Sequence, residues 1–132
     1  MKFRRNVFYP IRLILYPICL EILVTFYGEM LTQSVAMVFD GISLILLVEA
    51  IYEFIMPYAE WHGDEIVINS SILHKTRIDL TPFTIDDLEF ETWFVKIGPN
   101  YISLRRFRRG YRERFEEAIE KYFEAKSLNT TE

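Results

Sequence analysis

The sequence is poor in the residues that mark disulfide-linked, metal-binding or catalytic proteins. It has one cysteine, Cys19, which cannot form an internal disulfide and gives no sign of an oxidising compartment. It has no nucleophile elbow, phosphate-binding loop or paired zinc motif. The nearest approach to a metal-ligand set is Glu60, His62, Asp64 and Glu65, but a lone histidine in a turn-like context is a poor donor set. The sequence therefore predicts no enzyme, no cofactor and no metal site.

Charged residues are scarce in the first half of the chain. Between positions 7 and 58 they are Arg12, Glu21, Glu29, Asp40, Glu49 and Glu53. Residues 60–126 hold most of the remaining Asp, Glu, Lys and Arg. This division predicts that the two halves lie in two solvents, lipid and water. The net charge of −4 argues against nucleic acid as a general partner.

Two apolar blocks, residues 7–27 and 34–56, are each long enough to cross the ~30 Å hydrocarbon layer as a helix. No small-residue cleavage site follows the first block, so it is not a typical signal peptide. The short connector between the blocks requires the two helices to run antiparallel. The competing interpretation is a soluble two-layer domain, because no uncharged run reaches the ~18 residues typical of a spanning segment. However, a domain of this size seldom buries two helices that are apolar on every face.

The charges inside the two blocks can be matched by their depth. At ~1.5 Å per residue, Arg12 lies near the inner end and can meet Glu49 or Glu53. Glu21 and Asp40 each lie about 8 Å from the outer surface. These two carboxylates form a protonatable or cation-attracting pair, or they lie near the interface and face water or another subunit. Because a carboxylate facing lipid is costly, they predict a homo-oligomer or a membrane-protein partner.

Basic residues flank only the N-terminal side of the first block. These are Lys2, Arg4, Arg5 and Arg12, whereas the connector contains Glu29 alone. Positive residues stay on the cytoplasmic side of a membrane. The sequence therefore predicts a multi-pass protein of the inner (plasma) membrane with both termini in the cytoplasm.

Beyond residue 58 the apolar pattern changes from helical to alternating. Four segments predict about four strands, at residues 65–68, 72–80, 88–97 and 101–104. From Tyr111 the period becomes helical again, with one apolar face that ends near Lys126. The predicted fold class is an α+β membrane protein, a two-helix transmembrane hairpin followed by a small antiparallel β-meander and a C-terminal amphipathic helix. The predicted domains are the hairpin (1–58), the cytoplasmic β domain (59–126) and a polar tail (127–132).

This layout resembles the bacterial membrane-anchored pleckstrin-homology-like (PH-like) proteins. The likeness is carried by residues 64–80, 85–91, 93–104 and 105–123. It covers about the last 70 residues plus the anchor and rests on pattern without an invariant motif. A full PH-like barrel has seven strands where about four are visible, so either a closed barrel or an open sheet completed by another subunit is compatible. The resemblance implies a binding or scaffolding module and transfers no catalytic residue.

The most unusual local feature is an arginine cluster with six members in ten residues: Arg105, Arg106, Arg108, Arg109, Arg112 and Arg114. Arginines at a helix N-terminus oppose the helix dipole, so helix stability does not explain them. Beside a bilayer each gains about 1 kcal/mol from anionic lipid, and guanidinium groups with neighbouring aromatics also suit a nucleotide-like ligand. The alternative is a solvated positive edge balanced by nearby acidic residues, or an intersubunit charge pair.

Two functions from different classes follow from these patterns. The first is an oligomeric membrane protein whose cytoplasmic PH-like domain is an interaction or assembly module in contact with membrane lipid. The second is a ligand-gated membrane effector that senses an anionic small molecule through the arginine cluster.

Overall fold

The computed structural model describes residues 1–130 and divides into two compact units. The helical unit is Val7–Met56. The second unit, here called the β unit, combines Met1–Asn6 with the chain from Pro57 onward. The helical unit is therefore an insertion after the first six residues of the β unit. The sequence analysis had placed those six residues with the helices.

The helical unit contains α1 (Phe8–Tyr27) and α2 (Gln33–Ile55), of 20 and 23 residues. At ~1.5 Å per residue they are about 30 and 35 Å long. Between them the amide N–H groups of Met30 and Leu31 donate to the Tyr27 carbonyl, which closes the connection. Both helices are long and apolar enough to cross a membrane, with mean hydropathies of 1.6 and 2.0 in their most apolar windows. These bounds lie within one residue of the predicted blocks.

The first sheet of the β unit has the antiparallel order β1 (Lys2–Phe3), β2 (Ala59–His62), β3 (Glu65–Asn69) and β4 (Lys75–Asp79). The alternation of the sequence sends Ile66, Ile68 and Ile78 into the core. Gly63 turns the chain between β2 and β3 with a φ of 58°, which glycine adopts without a steric penalty.

The second sheet is also antiparallel, in the order β5 (Leu88–Phe90), β6 (Phe94–Ile97) and β7 (Asn100–Ser103). The structure confirms an α+β fold with two apolar helices, antiparallel sheets and a C-terminal helix. The predicted segment 88–97 forms two strands, because the Glu91 N–H donates to the Phe94 carbonyl and reverses the chain. With β1 and β2 added, the described residues contain seven strands.

The last helix, α3 (Tyr111–Thr130), covers the core of the β unit. Phe115, Ile119 and Phe123 follow a spacing of four residues and are completely buried. The helix extends four residues beyond its predicted end near Lys126, so most of the predicted polar tail is helical. Thr131 and Glu132 lie outside the described residues.

The first six residues are paired along both of their edges. Phe3 pairs with Ala59 of β2, and the Tyr58 N–H donates to the Phe3 carbonyl at 3.0 Å. On the other edge the Asn6 N–H donates to the Arg106 carbonyl at 2.7 Å, and the Arg108 N–H donates to the Arg4 carbonyl at 3.0 Å. This segment therefore joins the first sheet to the chain that follows β7.

Candidate functional site

The candidate site lies at the end of the β unit that carries Asn6 and Pro57, the two residues joined to the helical unit; we call it the connector end. Strand β3 ends there, because the Asn69 N–H donates to the Tyr58 carbonyl and the Asn69 side-chain amide donates to the Pro57 carbonyl. The β3–β4 turn, residues 70–74, therefore belongs to the connector end. So does the β5–β6 turn, because the Leu104 N–H donates to the Trp93 carbonyl just before the segment that pairs with Asn6.

Arg5 fastens the β3–β4 turn to the N-terminal segment. Its side chain is buried, with 5% exposed, and its guanidinium donates to the backbone carbonyls of Asn69 and Ser70. The planar guanidinium presents its donors as a fork, which matches two adjacent carbonyl groups. Arg106 adds a third donor, 3.2 Å from the Ser70 carbonyl. Two arginines distant in sequence thus fix one turn.

We expect Arg5→Lys to destabilise the β unit by about 2 kcal/mol, because one ammonium cannot replace two diverging charge-assisted hydrogen bonds. The matched control is Arg4→Lys, which makes the same change at the exposed neighbouring position and should stay within about 0.5 kcal/mol of the parent. Both are measured by urea unfolding of the full chain in detergent, followed by fluorescence. The two tryptophans, Trp61 and Trp93, both report on the β unit. Equal midpoints for the two variants would contradict the role of the fork.

The six members of the arginine cluster take separate roles. The Arg105 guanidinium lies 4.5 Å from the ring centroid of Trp93, and Arg106 serves the β3–β4 turn. Arg112 pairs with Glu116 at 3.1 Å and also donates to the Thr92 carbonyl, while Arg114 lies 5.8 Å from the Tyr111 ring. Arg108 and Arg109 point to solvent. The guanidinium groups are therefore spread over a surface and do not converge on one pocket.

Charge is distributed unevenly between the two ends of the β unit. The connector end carries exposed Arg4, Lys75, Arg105, Arg108 and Arg109, with Glu91 and Glu113 among them. The opposite end carries the acidic residues of the β2–β3 turn, the end of β4 and the short 3-10 helix before β5, namely Asp64, Asp79, Asp86 and Asp87. Exposed basic residues therefore outnumber acidic ones at the connector end, whereas the opposite end combines these carboxylates with Lys126.

Comparison of the chain with protein-family models, with curated proteins and with solved structures gave no match. The resemblance to PH-like proteins therefore stays a prediction.

The opposite end holds two shallow surface grooves beside α3, of about 320 and 400 Å³, which share Tyr122. The Tyr122 hydroxyl donates to Asp64 at 2.6 Å, and burial, followed by this contact, raises the pKa of Tyr122 to about 12. Lys126 donates to the carbonyls of Leu80, Thr81 and Phe83. Tyr122 and Lys126, the main polar groups of the grooves, thus hydrogen-bond to other groups of the β unit.

The predicted intramembrane groups all lie on the two long helices. The Arg12 guanidinium lies 5.0 Å from the ring centroid of Tyr9. Glu53 is buried and Glu49 is half-buried, whereas Glu21 and Asp40 are exposed. The two proposed pairings, Arg12 with a glutamate and Glu21 with Asp40, stay predictions.

Proposed function

We propose that this chain is a small integral membrane protein whose helices α1 and α2 cross the bilayer as a hairpin, and whose β unit is an interaction module on the cytoplasmic side. The main support is the apolar surface of the two helices. Only 11% of the residues in each most apolar window are buried, whereas core helices of a soluble domain are mostly buried. Each large apolar side chain left in water forgoes ~1.5–3 kcal/mol of burial. A bilayer removes that penalty.

The connectivity of the β unit supports a hairpin. Residues 1–6 precede α1 and pair with β2, which follows α2. Because the two segments belong to one folded unit, they must lie on the same side of a membrane. The two helices therefore either both cross or neither crosses, which excludes a single span with the other helix in water.

The architecture of the β unit supports the PH-like resemblance. Sheets of four and three antiparallel strands with a C-terminal helix have the strand number of a full PH-like barrel. On this basis we propose that the β unit binds or assembles other molecules and catalyses no reaction. The exposed carboxylates of Glu21 and Asp40 favour a homo-oligomer or a membrane-protein partner, because a protein interface would remove them from lipid.

The effector hypothesis has less support from the geometry. A binding site for one anionic small molecule needs converging donors. Arg105, Arg106, Arg112 and Arg114 already contact groups of the protein, and the exposed Arg108 and Arg109 lie on an open surface. A flat anionic surface matches this dispersed arrangement better than a small molecule does.

Cys19 provides a test without any substitution, because it is the single cysteine and lies mid-way along α1 with an exposed side chain. In isolated membranes we expect a water-soluble maleimide to leave Cys19 unmodified until the protein is denatured in sodium dodecyl sulfate. Hydrocarbon excludes the polar reagent, so the reagent would not reach a thiol within the bilayer. Mass spectrometry of the intact chain measures the modification.

The matched control moves the thiol to the exposed face of α3 as Cys19→Ser with Glu120→Cys, and this variant should react at once. Two results together would contradict the membrane hypothesis. The chain would be recovered in the extract without detergent, and Cys19 would be modified as fast as the control thiol.

A further inference from the structure

The β3–β4 turn presents two aliphatic side chains to solvent. Leu73 is 94% exposed, more than any other large apolar side chain in residues 1–130, and its neighbour Ile72 is 48% exposed. The sequence pattern had assigned both to a strand. Instead, strand pairing begins at Lys75 opposite Asn69. These two side chains add nothing to the core and are exposed for contact with an apolar partner.

The tip is held in a defined position at its base. The Ser70 and Ser71 N–H groups both donate to the His74 carbonyl, at 3.0 and 3.2 Å, and the His74 N–H returns to the Ser71 carbonyl at 3.3 Å. Below these bonds, Arg5 and Arg106 grip the Ser70 carbonyl. The turn is therefore already ordered before any contact forms, which lowers the entropic cost of binding.

The chain path connects the base of this turn to the start of α1. Arg5 donates to the Ser70 carbonyl at 3.0 Å, and Phe8, the first residue of α1, follows Arg5 by three positions. Three residues of extended chain span at most about 11 Å. If α1 begins at the bilayer surface, covalent reach alone keeps the base of the turn near that surface.

Other side chains at the connector end also suit an anionic lipid surface. Trp93, 47% exposed on the β5–β6 turn, has the Arg105 guanidinium over its ring. Aromatic rings and long basic side chains both favour the boundary between hydrocarbon and water. Arg108 and Arg109 add exposed guanidinium groups suited to phosphate. The apolar tip and the positive charge thus occur together at one end of the unit.

We propose that the β3–β4 turn inserts Ile72 and Leu73 into the headgroup region of an anionic phospholipid bilayer, while the exposed arginines of the connector end bind lipid phosphates. This proposal rests on the membrane location of the helices. The turn is then an attachment point in addition to the two peptide connections at Asn6 and Pro57. An aliphatic tip that is held at its base by Arg5 and Arg106, at the same end as the exposed arginines, fits an anionic lipid surface.

The test uses the full chain in nanodiscs of phosphatidylcholine with phosphatidylglycerol. Cys19→Ser removes the native thiol, and Leu73→Cys introduces one on the turn. An environment-sensitive fluorophore is attached to this thiol in detergent, before reconstitution. Leu128→Cys is the matched control, because Leu128 is also an exposed leucine, 72% exposed, but lies in the last turn of α3 at the opposite end. A lipid with a nitroxide close to its headgroup quenches a fluorophore only when the two approach each other.

We expect the label at position 73 to shift its emission to shorter wavelength and to lose intensity with the nitroxide lipid, and the label at position 128 to do neither. Quenching at position 73 should weaken when phosphatidylglycerol is omitted or when Arg108→Ala and Arg109→Ala are combined. Equal quenching at the two positions would overturn the insertion. A shift of the position-73 emission to shorter wavelength that appears only when a second protein is added would also overturn the insertion, and would indicate a protein partner.

A third sample separates this proposal from the one on which it rests. The native chain labelled at Cys19 should be quenched by a nitroxide placed deep on the acyl chain. Loss of that signal contradicts the membrane hairpin itself. Deep quenching at Cys19 without shallow quenching at position 73 leaves the hairpin intact and refutes insertion of the turn.

Discussion

Phe3→Ala is expected to destabilise the β unit by about 3–5 kcal/mol, the usual cost of removing a buried phenylalanine ring. Phe3 is 2% exposed, and its ring lies 5.0 Å from that of Phe115 and 6.2 Å from that of Phe107. Alanine would leave a cavity between α3 and the chain after β7, which the paired backbone of β1 cannot close. The effect is large because the N-terminal strand is part of the core, although 50 residues of helical unit separate it from β2.

Urea unfolding of the full chain in detergent, followed by the fluorescence of Trp61 and Trp93, measures this loss. The matched control is Phe26→Ala, the same substitution at a side chain of α1 that is 78% exposed. The control should leave the midpoint of the tryptophan signal unchanged, because it removes no packing from the β unit. A midpoint for Phe3→Ala equal to that of the control would show that β1 is dispensable.

The features that sequence reasoning predicted best are those with a local signal. A predominantly apolar segment of 20 or more residues predicts a helix from its composition alone. Both α1 and α2 start and end within one residue of the predicted blocks. The apolar face of α3 likewise repeats every three or four residues. Alternation also marked the strand segments that contain Ile66 and Ile78, both of which are buried.

The N-terminal strand could not be predicted in this way. β1 has two residues, too few to show alternation, and its partner Ala59 is 56 residues away along the chain. The basic residues at positions 2, 4 and 5 were interpreted as flanking charges of a membrane span. One of them, Arg5, is instead buried and holds the β3–β4 turn. The one available signal in the sequence was an apolar residue, Phe3, between two basic residues.

The arginine cluster shows the limit of composition as a guide to a site. Six arginines in ten residues suggested one shared target, but a short 3-10 helix at Leu104–Arg106 and the start of α3 at Tyr111 turn the side chains in different directions. Conversely, the exposed tip at Leu73 was hidden inside an apparently regular alternation. Its position became visible only through the hydrogen bonds that end β3 at Asn69 and begin β4 at Lys75.

The second large effect that we expect is an all-or-none difference in thiol modification between the two sides of the membrane. In a Cys19→Ser background, Glu29→Cys places a thiol in the connector between α1 and α2, and Glu120→Cys places one on α3. A membrane-impermeant maleimide added to intact cells should modify position 29 and spare position 120. Inside-out vesicles should reverse the pattern if the basic residues Lys2, Arg4 and Arg12 keep the start of α1 on the cytoplasmic side, as the positive-inside rule predicts.

The pairing of β1 with β2 makes this experiment decisive about more than orientation. Since residues 1–6 and the chain after Pro57 fold as one unit, position 120 reports the side of both ends of the hairpin at once. Modification of position 120 but not of position 29 in intact cells would invert the orientation while keeping two crossings. Modification of both positions from the same side would show that neither helix crosses, because the fold of the β unit allows no arrangement with one crossing.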